Sequence, residues 1–105
     1  MISKSIQNTI KSTVHSLLPD ARVLLFGSMA RGDANADSDY DVLVITQQTF
    51  LPRERLAMST KVNNALVDVL KAPVDVILNS VEQINDNKDL LGHIVHYALM
   101  ESVEL

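Results

Sequence analysis

The chain has 105 residues, enough for one domain with a modest core. Nine basic residues stand against thirteen acidic ones, a formal charge of -4. That balance argues against direct nucleic-acid binding, which needs a basic face. Cysteine is absent, so disulfides and thiolate metal sites are excluded. No apolar run approaches the length of a membrane span, and MISKSIQNTIKST has no long apolar signal core. A cytoplasmic protein that does not engage a membrane is expected.

Ile2, Ile6, Ile10, Val14, Leu17 and Leu18 fall on one helical stripe, and Pro19 ends that helix. Arg22 to Phe26 reads as a buried strand because Val23, Leu24, Leu25 and Phe26 are continuously apolar. Gly27 ends the strand, and Ser28 can cap a short helix starting near Met29. Tyr40 to Ile45 is a second strand, with Asp39 and Asp41 at its beginning. Thr46 to Leu51 reads as a loop. Pro52 suits the first turn of a second long helix, along which Leu56, Val62, Leu66, Val69 and Leu70 recur. Ala72 to Leu78 is a third strand, opened by Pro73 and carrying Asp75 as its one charge. Ser80 and Gln83 form a capping box for a turn after it. A last helix is expected from about Asp89 to Glu101, and Val103 to Leu105 as a short edge strand. The expected class is α/β (α+β): a small mixed sheet flanked by helices, in a single domain over residues 1–105.

The chemistry concentrates between the first two strands. Gly27 lets a phosphate approach the backbone closely. Free amides at the following helix start attract anions, and Ser28 adds a hydroxyl donor. Arg31, one turn later, offers a positive fork. Asp39 and Asp41 alternate on a strand, so their carboxylates share a face and repel unless cations lie between them. Hard oxygen ligands of this kind suit Mg²⁺. Asp75 inside an apolar run is costly unless paired or metal-bound. If its strand lies beside that of Asp41, the three acids converge, as two-metal nucleotidyl transfer requires. Three carboxylates and two Mg²⁺ ions leave a local charge of about +1, which can accept a triphosphate.

GSMARGDANADSDYDVLV resembles the signature of the minimal nucleotidyltransferases, the smallest members of the DNA-polymerase-β-like nucleotidyltransferase superfamily. Gly27, Ser28, Asp39 and Asp41 match its Gly-Ser, ten-residue gap, Asp-x-Asp pattern. Ala30, Arg31, Gly32 and Ser38 match the usual flanks, and Asp75 falls where the family has its third acid. The resemblance implies the polymerase-β-like fold, two Mg²⁺ ions, and ATP as substrate. It further implies a helical HEPN-type partner, often a toxin to which such a chain is the antitoxin, with AMP transferred to a tyrosine of that partner. Little chain remains to hold an acceptor, so the acceptor must be small or presented by another protein. A homo-oligomer is also compatible with the sequence.

Plainer readings stand beside these. Asp20, Asp33 and Asp37 read as solvated surface. Arg31 could serve a surface ion pair and Ser28 only a helix cap. His93, His96 and Asp89 have zinc-compatible helical spacing. Leu91, Ile94, Val95, Ala98 and Leu99 surround them, so a packed or partner-facing helix is the stronger reading. The alternative to an enzyme is a binding module that neutralises its partner by stoichiometric contact.

Overall fold

A computed structural model describes residues 3–27, 30, 39–87 and 102–105. The first helix, α1, spans Lys4–Leu17. Ser3 caps it, its Oγ accepting the Ile6 N–H at 3.2 Å. Ile10 and Val14 are fully buried, while Ile6 and Leu18 pack beside them half-covered. Leu17 departs from the expected stripe and is exposed. The Leu18 N–H closes the helix on Val14 O at 2.8 Å, and its carbonyl accepts the Ala21 N–H at 3.1 Å. His15 Nε2 meets Ala21 O at 2.8 Å, bracing this turn from the helix side.

Strand β1 covers Arg22–Phe26 and β2 covers Tyr40–Thr46, paired antiparallel from Arg22↔Ile45 to Phe26↔Asp41. The chain then enters α2, Pro52–Leu70, with Pro at its first position as expected. Glu54 Oε1 accepts the Leu51 N–H at 3.2 Å. Lys71 leaves the helix in the left-handed conformation, φ 54°, with its N–H on Val67 O at 2.9 Å. Strand β3, Val74–Ser80, runs parallel to β2 from Tyr40↔Val74 to Thr46↔Ser80. It starts after Pro73 and continues through the polar Asn79 and Ser80, two residues beyond the expected end, because β2 offers partners that far. Helix α3, Val81–Asn87, follows directly. The capping box holds: Gln83 N–H reaches Ser80 Oγ at 3.1 Å, and Ser80 N–H reaches Gln83 Oε1 at 2.9 Å. Strand β4, Val103–Glu104, pairs antiparallel with β1, giving a mixed sheet of order β3-β2-β1-β4.

Strand alternation splits the core between two faces. Val23, Leu25, Val42, Val44, Val74 and Leu78 pack against Ile10 and Val14 of α1 and Val62 and Leu66 of α2. Leu24, Leu43 and Ile45 face the other way, against Ile84 of α3, with Phe26, Ile77 and Val81 at the margin. On α2 the covered stripe is Met58, Val62, Leu66 and Leu70, each four residues apart. Leu56 and Val69 lie off that stripe and are 69% and 46% exposed, against expectation. The helix touches the sheet along one narrow line, and only this line counts for burial.

Arg22 Nε and Nη2 grip both carboxylate oxygens of Glu104, at 3.0 and 2.5 Å, and so tie β4 to β1. This hydrogen-bonded pairing lowers the Glu104 pKa and raises that of Arg22. Leu105 N–H adds a bond to Val23 O at 2.9 Å. Among the described residues no helix is long and apolar enough to cross a membrane. The expected helix over 89–101, with His93, His96 and Asp89, lies outside the described residues.

Candidate active site

Asp39, Asp41, Asp75 and Gly27 lie at one end of the sheet, Asp41 and Asp75 on the face that carries Leu24, Leu43 and Ile77. Asp41 alternates with Leu43 on β2, and Asp75 alternates with Ile77 on β3, so both carboxylates rise from this face. They are direct register partners on adjacent parallel strands, with backbones about 4.8 Å apart. On its other side Asp41 pairs with Phe26, the last residue of β1. Asp39 stands one residue before β2 begins. Asp41 is half-buried, while Asp39 and Asp75 are exposed.

Gly27 follows Phe26 and adopts φ +73°, a conformation that side chains disfavour. A β-carbon there would overlap a carboxylate oxygen of Asp41 and lie 3.2 Å from its Cγ. The glycine is therefore required by the acid beside it, a reason that the sequence reading, with its phosphate argument, did not contain. Gly27, Asp41 and Asp75 thus form a line across β1, β2 and β3. Ser28 and Arg31, the other expected phosphate contacts, lie outside the described residues, as do Asp33 and Asp37. Asp20 is exposed, as expected of a surface acid.

Asp75 is exposed. It sits at the start of an outer strand rather than inside a buried run, so stability alone demands no partner for it. Its claim to function rests on its register with Asp41. Among the described residues no group of three His, Cys, Asp or Glu side chains closes around one point. Like charges oppose such closure. The donor set nevertheless suits Mg²⁺, which is held by one or two carboxylates together with substrate phosphates rather than by a full protein cage. Beside Asp75 runs a groove of about 250 Å³ lined by Ser59, Thr60, Asn63, Val74 and Val76. Sequence reading passed over these α2 residues; their only signal is a polar pair one turn apart, Ser59 and Asn63.

A family model for the nucleotidyltransferase domain matches residues 8–105. The chain belongs to the nucleotidyltransferase domain family. This nucleotidyltransferase is 32% identical over 68 residues to a Methanocaldococcus jannaschii protein named "Putative protein adenylyltransferase MJ0141", the match covering 61% of this chain and 69% of the relative. Its fold matches a solved structure described as a "putative minimal nucleotidyltransferase" with TM-score 0.68 and 23% identity, over 100% of this chain and 97% of that one. A Shewanella oneidensis complex, described as a tri-AMPylated HEPN toxin with an MNT antitoxin, contains a chain matched at TM-score 0.59 and 18% identity, over 98% of this chain and 71% of that one. At these identities the two solved structures speak to the fold, which is the mixed sheet with helices described above.

Proposed function

We propose that this nucleotidyltransferase moves AMP from ATP to a hydroxyl of a partner protein, a tyrosine of a HEPN-type toxin, and thereby acts as an antitoxin. The observation that carries the reading is the Asp41↔Asp75 register, with Gly27 packed on the far side of Asp41. The naming of the M. jannaschii relative and of the Shewanella oneidensis complex supports the acceptor class.

In this reading Gly27, Ser28 and Arg31 hold the outer phosphates, and Asp39, Asp41 and Asp75 are the metal ligands. Two Mg²⁺ ions, when bound, neutralise the triphosphate and polarise the α-phosphate. The line of residues sets the direction of the displacement. Phosphates rest on the β1 side, next to Gly27, so pyrophosphate departs that way. The hydroxyl approaches over β3, where the Asp75 carboxylate takes its proton. A bond forms between the acceptor oxygen and the α-phosphorus as the bond from that phosphorus to the pyrophosphate oxygen breaks. Positioning and charge stabilisation supply most of the rate.

The test is co-incubation with a HEPN-type partner, ATP and Mg²⁺, followed by intact-mass spectrometry. The partner is expected to gain AMP and lose activity. An unmodified partner that is still inhibited one-to-one would instead establish neutralisation by binding alone.

A further inference from the structure

Among the described residues β3 is one of the two outer strands of the sheet. The Tyr40 N–H bond to Pro73 O, 3.0 Å, sets its phase. With Tyr40 opposite Val74, strand alternation turns the backbone N–H and C=O of Asp75 and Ile77 towards β2. Those of Val74 and Val76 turn outward. Along this edge lies the polar flank of α2, so that Ser59, Thr60 and Asn63 form one wall of the groove and Val74, Asp75 and Val76 the other. The Thr60 hydroxyl donates to Leu56 O at 2.9 Å, which leaves it lone pairs to offer. Asn63 Oδ1 is buried and has no partner among the described residues. A buried acceptor of this kind calls for a donor.

We propose that this groove docks the acceptor: an extended segment of a partner protein, laid as an added strand along the outer edge of β3, with its hydroxyl side chain reaching Asp75. The inference rests on the transfer reading above and specifies how the acceptor arrives. Outward N–H and C=O pairs two residues apart match a peptide backbone, the pairing by which extended segments join sheet edges. Asp75 is the only charged residue along the groove, on a chain of net charge -4, which disfavours a nucleic-acid backbone. The side fits as well. Groove and Gly27 flank the acids from opposite sides, as in-line attack and departure require. The transferred group passes from ATP to the side-chain oxygen, pyrophosphate leaves, and the proton goes to Asp75.

The experiment uses the full isotope-labelled chain with Mg²⁺ and α,β-methylene-ATP, which binds but cannot transfer AMP. The probe is a pool of short synthetic peptides with a central tyrosine, followed by backbone-N-methylated copies of those that bind. NMR is expected to show peptide-induced shifts at the Val74 and Val76 amides and the Asn63 side-chain amide. Ser59→Arg, which fills the groove, and peptide N-methylation should each weaken peptide binding by about tenfold or more, about 1.4 kcal/mol. Nucleotide affinity should stay unchanged in Ser59→Arg. Peptides that shift another surface or none, or that bind Ser59→Arg as well as wild type, overturn the proposal while leaving the transfer reading standing. Movement of the Asn63 amide by the nucleotide alone assigns the groove to the base and overturns it too. Absence of any nucleotide binding in the peptide-free titration removes the transfer reading itself, and the docking proposal with it.

Discussion

The carboxylate of Asp41 occupies the space that a side chain on Gly27 would need. A glycine at the end of β1 and an acid near the start of β2 are thus one structural unit. Gly27→Ala places a β-carbon at φ +73° and against that carboxylate. A loss of about 1–3 kcal/mol is expected from the backbone conformation alone, with a further loss from the overlap. Thermal melts of Gly27→Ala in wild-type and Asp41→Ala backgrounds separate the two. The penalty should be smaller when Asp41 is truncated; an equal penalty would show that the overlap is relieved some other way.

Asp39→Asn and Asp41→Asn should each abolish AMP transfer and leave the fold intact. Removing one of several neighbouring like charges relieves repulsion, so the metal-free protein should be as stable as wild type or more so. Melts with and without Mg²⁺-ATP give the readout. A mutant that gains as much stability from Mg²⁺-ATP as wild type would contradict the assignment.

Binding and chemistry separate at two other positions. Ser28→Ala should weaken triphosphate affinity by about one order of magnitude, the effect of losing a hydrogen bond to a charged group. Asp75→Asn should lower the rate far more than the affinity, since in the proposed reaction its carboxylate takes the proton of the attacking hydroxyl. Calorimetry beside a turnover assay resolves them, and equal affinity losses would argue against distinct roles.

The Arg22–Glu104 pair gives a pH dependence with a definite sign. Its hydrogen bonds lower the Glu104 pKa in the folded state. The stabilisation is therefore present above the unfolded pKa of Glu104 and is lost as pH falls through the lower folded value. Arg22, shifted upward, stays charged throughout that window. The pair is about half exposed, so its worth is only about 0–1 kcal/mol. Glu104→Gln should lower the melting temperature slightly at neutral pH and not at strongly acid pH. A difference that persists in acid would mean that the effect is not ionic.

Much of the fold was legible because its signals are local. Arg22–Phe26 and the strand after Asp39 are short apolar runs with sharp ends, and Ser80 and Gln83 announce their own helix start. The Gly-Ser and Asp-x-Asp spacing exposed the acids without any knowledge of the sheet. What escaped depends on tertiary placement. Leu56 and Val69 are apolar, yet only the line through Val62 and Leu66 meets the sheet. Asp75 looked buried because its neighbours are apolar, whereas the outer position of β3 exposes it. The groove at Asn63 exists only because β3 is an edge, which no local pattern records.

The most direct measurement follows the label of ATP into protein. The chain is incubated with Mg²⁺, a protein acceptor preparation, and ATP carrying the label on either the α- or the γ-phosphorus. The site described here predicts protein-bound label from the α-position alone, release of pyrophosphate, and loss of both in Asp41→Asn. Label arriving from the γ-position, or α-label that survives Asp41→Asn unchanged, would contradict nucleotidyl transfer at this site.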